Sequence, residues 1–175
     1  MVLYAFFNGR QDKAQRKTRV CCRRQTRQLL HERLEDRTLL AAVVSSTADG
    51  GDGTLRKAIV WANANPGADT IEFDARLAGT TITLTSGQLP ITDNLTIIGL
   101  GADRLTISGN QASRIFSVDD FTATTTIAVS ISDLALVDGG NPYGSGGAVY
   151  NVEDLTVIRC VLAGNRAANG GGILN

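Results

Sequence analysis

Short segments of alternating apolar and polar residues recur along the chain from Thr80 onward, separated by turn-forming glycine, asparagine and aspartate residues. Alternation with a period of two is typical of β-strands that bury one face. The apolar positions of these segments are Ile82, Leu84, Leu95, Ile97, Leu105, Ile107, Ile115, Ile127, Val129, Ile131, Leu134, Leu136, Val149, Leu155, Val157, Cys160, Leu162 and Ile173. The pattern predicts an all-β fold and, by itself, leaves a sandwich, a barrel and a repeat architecture open.

The final two sets of segments are similar to each other. Residues 129–136 align with residues 155–162 at a shift of 26, and residues 146–151 align with residues 170–175 at a shift of 24. Each unit therefore holds three short strands in a period of about 25 residues. This period predicts one coil of a right-handed, single-stranded parallel β-helix, in which successive coils hydrogen-bond about 4.8 Å apart.

Stacked coils bring together side chains that the sequence repeat aligns. The alignment predicts an ion pair between Asp133 and Arg159. It places Asn151 beneath Asn175, as in an asparagine ladder that bonds both its own turn and its neighbour. It also gives Cys160 an inward position, which favours a buried apolar thiol over a nucleophile.

The segment that precedes these strands has a different pattern. A β-prone run leads into a turn rich in aspartate and glycine, after which Thr54 can cap a helix. Pro66 ends that helix, and residues 69–74 alternate as another strand. One apolar stripe of the helix is formed by Leu55, Ala58, Ile59 and Ala62. We therefore predict a strand–helix–strand cap on the β-helix.

Charge is distributed unevenly along the chain. The 17 basic and 17 acidic residues cancel, but residues 1–40 carry ten bases against four acids, and the remainder carries seven bases against thirteen acids. We accordingly divide the chain into a basic leader (1–42), the cap (43–79) and the coils (80–175). No aromatic residue is interleaved among the bases, and the acidic body would repel phosphate, so no nucleic-acid partner is expected. No apolar run reaches the roughly 18 residues of a membrane-spanning helix.

Residues suited to metal or nucleophilic chemistry are scarce. The single histidine lies in the leader, and Cys21, Cys22 and Cys160 lack the spacing of a zinc site. Asp49 and Asp52 lie among glycines, but the remaining oxygen ligands of a calcium loop are not evident, and tight-turn chemistry accounts for both residues. No metal or cofactor is therefore expected.

The end of the leader resembles the N-terminal L-E-x-R-x-L-L export-type motif of large bacterial surface and secreted proteins. The matching residues are Leu34, Glu35, Arg37, Leu39 and Leu40, while Asp36 stands where the motif usually has proline. The resemblance implies a bacterial protein that is secreted or displayed at the cell surface. The alternative from the residues alone is a short amphipathic helix.

The cap resembles the bacterial CSLREA domain, which precedes β-helical regions in many exported proteins. The match runs from Thr47 to Ile71 and includes Asp49, Asp52, Leu55, Arg56, Ala58 and Ile59. Two departures are that no cysteine precedes Thr54 and that Lys57 replaces an acidic residue, so a disulfide staple is not implied. The family implies no catalytic residues for this segment.

The glycine-rich pieces at residues 146–151 and 170–175 resemble the G-G-A-I…N repeats of polymorphic outer-membrane proteins and related pectate-lyase-like β-helices. This resemblance implies a β-helix with a role at the cell surface. The low aromatic content, 5% of residues, is consistent with a narrow coil interior filled by isoleucine, valine and leucine.

Two functional classes follow from these observations. The first is a secreted or cell-surface structural or adhesive protein that binds carbohydrate or cell-envelope components along its flat outer strand faces, with no catalytic residue. Because the sequence stops in mid-repeat, we expect it to be the N-terminal portion of a larger protein. The alternative is a polysaccharide lyase or glycoside hydrolase of the pectate-lyase-like class, which requires closely spaced carboxyl groups. Its candidate residues are Asp119, Asp120, Asp133, Asp138, Arg159 and Arg166.

Overall fold

The computed structural model describes residues 41–175 of the 175-residue chain. The export-type motif at residues 34–40 lies outside the described residues.

The first part of the described chain contains the single α-helix of this region. Its elements are β1 (Ala41–Val44), α1 (Leu55–Ala64), β2 (Asp69–Phe73), a 3-10 turn (Ala75–Leu77), β3 (Thr80–Thr83) and β4 (Leu89–Ile91). The remaining elements are all strands. They are β5 (Leu95–Ile98), β6 (Leu105–Ser108), β7 (Phe116–Val118), β8 (Ala128–Ser132), β9 (Ala135–Val137), β10 (Gly140–Ser145), β11 (Val149–Asn151), β12 (Asp154–Ile158), β13 (Val161–Ala163), β14 (Arg166–Asn169) and β15 (Ile173–Leu174).

The strands form a parallel β-helix, which confirms the predicted fold class. Sheet A has the order β1-β2-β5-β8-β12, sheet B the order β3-β6-β9-β13, and sheet C the order β4-β7-β11-β15. Every pairing is parallel, and β10 pairs with β14 beside these sheets. Four coils thus contribute one strand to each sheet, and β1 adds a fifth strand to sheet A.

The register of the last two coils is the one that the sequence repeat predicts. Ser130 lies opposite Thr156 in sheet A and Ala135 lies opposite Val161 in sheet B, each pair at the predicted shift of 26. In sheet C the shift falls to 24, as the sequence also predicts. The pairing between the second and third coils is less regular, because residues 119–127 form a longer excursion between β7 and β8.

The core is a column of inward-facing side chains between the three sheets. In sheet C, Leu89, Phe116 and Val149 stack in register and are fully buried. In sheet A, Ile71, Ile97 and Ile131 form an equivalent column. Such burial of apolar surface, about 25 cal/mol per Å², is the main favourable contribution to folding.

Single residues in the left-handed backbone region turn the chain from sheet A to sheet B. Asp133 and Arg159 have φ angles of 58° and 51° at this corner in the third and fourth coils. Gly99 occupies the same corner in the second coil, where a Cβ atom would lie 2.0 Å from the Asp133 carbonyl oxygen. Only glycine therefore permits this close approach of successive coils.

Helix α1 covers the N-terminal end of the coils. The Thr54 side chain accepts a hydrogen bond from the Lys57 amide, as expected of a helix cap, and the helix ends at Ala64, with Asn65 as its C-cap just before Pro66. The apolar stripe buries Leu55, Ile59 and Ala62 in the same core, and α1 contacts β1, β2 and β4. The predicted strand, helix and strand are therefore present, and both strands belong to sheet A.

The last coil is packed less completely than the coils before it. Leu155, Cys160 and Leu162 are half-buried, whereas the residues one coil earlier, Val129, Leu134 and Leu136, are almost fully buried. Among residues 41–175, no helix has the length and hydrophobicity needed to cross a lipid bilayer.

Candidate functional site

A shallow groove of about 260 Å³ runs across the outer face of sheet A, and we call it the sheet A groove. It crosses β5, β8 and β12 and therefore follows the direction in which the coils stack. Its lining residues are Ala68, Asn94, Leu95, Thr96, Ala128, Val129, Ser130, Asp154 and Thr156.

One wall of the groove is a row of hydroxyl groups. Thr96 lies opposite Ser130, and Ser130 lies opposite Thr156, so each hydroxyl side chain occupies the same position in successive coils. Thr70 continues the row in the first coil. These residues point outward because they alternate with buried residues such as Ile97. The row thus presents hydroxyl donors and acceptors at intervals of about 4.8 Å.

The second row of the groove alternates alanine with polar side chains. Ala68, Asn94, Ala128 and Asp154 occupy this row from the first coil to the fourth. The Asn94 Oδ1 atom accepts a hydrogen bond of 2.8 Å from the Ala128 amide, which fixes the Asn94 side chain at the start of β8. The small alanines leave the space that makes this face a groove.

Asp49 and Arg56 form a partly buried ion pair in the cap, which we call the Asp49–Arg56 latch. The Arg56 Nη2 and Nε atoms donate to Asp49 Oδ1 over 2.7 and 3.0 Å. The other carboxylate oxygen, Oδ2, accepts from the Thr85 and Ser86 amides over 2.9 and 2.6 Å. Arg56 also donates to the Gly87 carbonyl oxygen. The latch therefore joins the cap to the corner between β3 and β4.

These hydrogen bonds determine the ionisation of Asp49. Burial alone would raise the pKa of its carboxyl group, but the hydrogen bonds from Thr85, Arg56 and Ser86 lower that pKa below its usual value. Asp49 is thus held as a carboxylate, and both of its oxygens accept hydrogen bonds from protein donors. The nearby Asp52 is exposed in the turn, while Leu55 and Ile59 are buried and Ala58 is half-buried in α1.

Asp119, Asp120 and Glu153 are the carboxylates that lie close enough together to share a cation within the described region. Their oxygens already organise the excursion between β7 and β8. Glu153 accepts hydrogen bonds from the Asp120 and Ile127 amides, and Asp119 accepts one from the Phe121 amide. This set fits a loop-closing role, and it does not include Asp49 or Asp52.

The structure brings Asn151 and Asn175 together across the last two coils. Asn151 is buried, its side-chain amide donates to Asn175 Oδ1, and its own Oδ1 accepts from the Glu153 amide over 3.2 Å. The same amide nitrogen donates to the Glu153 carbonyl oxygen over 2.8 Å. This pair therefore holds the turn that leads into β12.

Asp133 and Arg159 form the predicted ion pair between coils. Arg159 Nε and Nη2 donate to the two Asp133 oxygens over 2.6 and 2.5 Å. The hydrogen bonds from Arg159 lower the pKa of Asp133 below its usual value. Cys160, the next residue, is half-buried, and burial raises the pKa of its thiol. Because Asp133 and Arg159 are paired with each other in this way, their arrangement favours a structural role in holding successive coils together.

Replacing Arg159 with glutamine should raise the pKa of Asp133 toward the ordinary value of about 3.9, because the bidentate donor is lost. The pKa can be measured by NMR titration of the side-chain carboxyl carbon. The R104Q substitution, at an exposed arginine of the second coil, is the matched control and should leave Asp133 unchanged. An unchanged Asp133 pKa in R159Q would contradict the stacking of these two corners.

Comparison of the chain with protein-family models, with curated protein sequences and with solved structures gave no match.

The sheet A groove was not visible as a site in the sequence, although outer strand faces were predicted to bind ligand. The residues of its hydroxyl row, from Thr70 to Thr156, are separated in the sequence by 26, 34 and 26 positions. The excursion at residues 119–127 lengthens the middle separation. The signal that could have identified it is a hydroxyl residue between two apolar residues in each of β5, β8 and β12.

Proposed function

We propose that this chain is an exported structural and adhesive β-helix protein whose sheet A groove binds carbohydrate. The observation that carries the proposal is the groove itself, in which outward hydroxyl side chains recur in register from coil to coil. Hydroxyl and amide side chains that both donate and accept hydrogen bonds are suited to sugar hydroxyls.

A rigid scaffold supports this binding role. The hydroxyl residues stand on strands whose inward neighbours are buried in a continuous core, so their positions are fixed before a ligand arrives. Preorganisation of this kind lowers the entropic cost of binding. An adhesive protein benefits further because several equivalent coils can contact one polymer.

Export and surface display are the second part of the proposal. They are supported by the resemblance of Leu34, Glu35, Arg37, Leu39 and Leu40 to the export-type motif and by the CSLREA-like sequence of the cap. A double substitution, Leu39→Asp with Leu40→Asp, should retain the full chain in the cytoplasm of a bacterial host, whereas the unsubstituted chain is exported. Equal fractionation of the two chains would contradict this part of the proposal.

The binding role can be tested by cosedimentation of the full chain with insoluble cell-wall polysaccharides. We expect retention on the polysaccharide without release of new reducing ends or of unsaturated sugar products. Retention should weaken in the Thr96→Val variant, which keeps the β-branched shape and removes one groove hydroxyl. Turnover that disappears in the Asp133→Asn variant would instead support the polysaccharide-degrading class, and absence of both retention and turnover would refute carbohydrate binding.

A further inference from the structure

The charge of the sheet A groove restricts the kind of carbohydrate that fits it. Asp154 is the one charged side chain among the described residues that line the groove, and neither lysine nor arginine lines it. Glu72 adds a second exposed carboxylate on the same face of sheet A. A polyuronate would therefore bring its carboxylates toward fixed negative charge with no cation to pair with them.

The spacing of the hydroxyl row restricts the shape of the ligand. Thr96, Ser130 and Thr156 occupy equivalent positions in successive coils, about 4.8 Å apart along the stacking direction. An extended β-linked pyranose chain advances for each sugar residue by a distance close to this coil spacing, and neighbouring sugars are turned over relative to each other. Such a chain, lying along the groove, can place a sugar beside each hydroxyl of the row, with alternate sugars presenting the same edge, whereas a helically coiled polysaccharide turns away from the row.

The lining also determines how strongly each sugar is held. None of the described residues that line the groove is aromatic, so no stacking platform for a sugar ring is present there. Thr96 and Ser130 are half-buried, which leaves their hydroxyls accessible but partly shielded from water. Binding then rests on several modest hydrogen bonds, and affinity must accumulate with ligand length.

We infer that the ligand of the sheet A groove is an uncharged, extended β-linked polysaccharide lying parallel to the stacking direction of the coils. This inference rests on the carbohydrate-binding role proposed above and specifies the charge, linkage geometry and orientation of the ligand. Three or four sugar residues would span the coils that line the groove.

The inference can be tested by NMR titration of the full chain with cello-oligosaccharides of two to six sugars and with oligogalacturonates of matched length. We expect chemical-shift changes at the groove residues, with affinity for the cello-oligosaccharides rising about tenfold or more from two sugars to four and then levelling off. Oligogalacturonates of the same length should bind more weakly.

Substitutions on two faces of the solenoid separate binding from stability. The double variant Thr96→Val with Ser130→Ala should weaken cellotetraose binding about five- to fiftyfold, as expected for the loss of two hydrogen bonds. The Thr106→Val variant is the matched control, because Thr106 has similar exposure on the outer face of sheet B, and it should bind as the unsubstituted chain does. Asp154→Lys should improve oligogalacturonate binding.

The outcomes distinguish the inference from the proposed function. Tighter binding of oligogalacturonates, or affinity that does not change between two and four sugars, would overturn the inference and leave carbohydrate binding intact. If neither oligosaccharide series binds and the chain sediments with no polysaccharide, both the inference and the proposed carbohydrate-binding function would be overturned. Equal weakening by the sheet A and sheet B variants would overturn the location of the site.

Discussion

Replacing Asp49 with alanine should lower the free energy of unfolding by about 2–4 kcal/mol, somewhat below the range of about 3–5 kcal/mol for removing one partner of a fully buried, hydrogen-bonded ion pair. The Asp49 side chain is 5% exposed and that of Arg56 is 20% exposed. Without the carboxylate, the Arg56 guanidinium and the Thr85 and Ser86 amides lose a shared acceptor at once. The cap should therefore loosen from the corner between β3 and β4.

Urea denaturation followed by circular dichroism measures this effect, and Asp52→Ala is the matched control. Asp52 lies three residues away in the same turn and is exposed, so its removal should change stability by less than about 0.5 kcal/mol. If D49A does not fold, Asp49→Asn provides a milder test, since the amide can still accept at one oxygen. Equal stability of D49A and D52A would show that the latch does not hold the cap.

The latch also makes stability depend on pH. Because the pKa of Asp49 is lowered in the folded chain, the unfolded chain takes up a proton at higher pH than the folded chain does. The contribution of Asp49 is complete above its unfolded pKa of about 3.9 and is lost as the pH falls through the lower folded pKa. The stability difference between the unsubstituted chain and D49N should therefore shrink on acidification below about pH 4. A difference that stayed constant or grew would contradict this assignment.

Replacing Phe116 with alanine should lower the free energy of unfolding by about 3–5 kcal/mol, because it opens a cavity in the middle of the core. Phe116 is fully buried between Leu89 and Val149 in the sheet C column. These two neighbours belong to the coils on either side of Phe116, so they cannot collapse into the space without disturbing the register of the sheet.

Phe121→Ala is the matched control for this substitution. Phe121 is 78% exposed in the excursion between β7 and β8, so its truncation should cost less than about 0.5 kcal/mol. The same urea measurement compares the two variants. A small effect of F116A, or similar effects of both variants, would place Phe116 outside the shared core and contradict the stacking of sheet C.

The sequence predicted the last two coils well because they repeat with the same spacing of inward residues and glycines. The shift of 26 was sufficient to pair Asp133 with Arg159, and the structure confirms that contact. The sequence repeat did not predict how the third coil stacks on the second. The excursion at residues 119–127 lengthens the shift between their sheet A strands, so that Thr96 pairs with Ser130. An insertion in one corner alters the sequence period without altering the stacking.

The sequence pattern did not predict the Asp49–Arg56 latch, for a different reason. Asp49 and Arg56 are close in the sequence, but their other partners are the backbone of residues 85–88, more than 30 positions away. Backbone amides and carbonyls carry no sequence signal, so the tight-turn interpretation of Asp49 accounted for its loop and missed its burial. The sequence pattern did not predict the sheet A groove either, because its walls form only when β5, β8 and β12 are aligned.

Interstrand nuclear Overhauser effects between the third and fourth coils test most directly whether the chain winds into stacked parallel coils. In the full chain we expect contacts between amide and α protons that join the neighbourhoods of Ser130 and Thr156, and of Ala135 and Val161, in the pattern of parallel strands paired at a shift of 26. Contacts in an antiparallel pattern, or pairing of these strands at another shift, would contradict the β-helix and remove the basis for the sheet A groove.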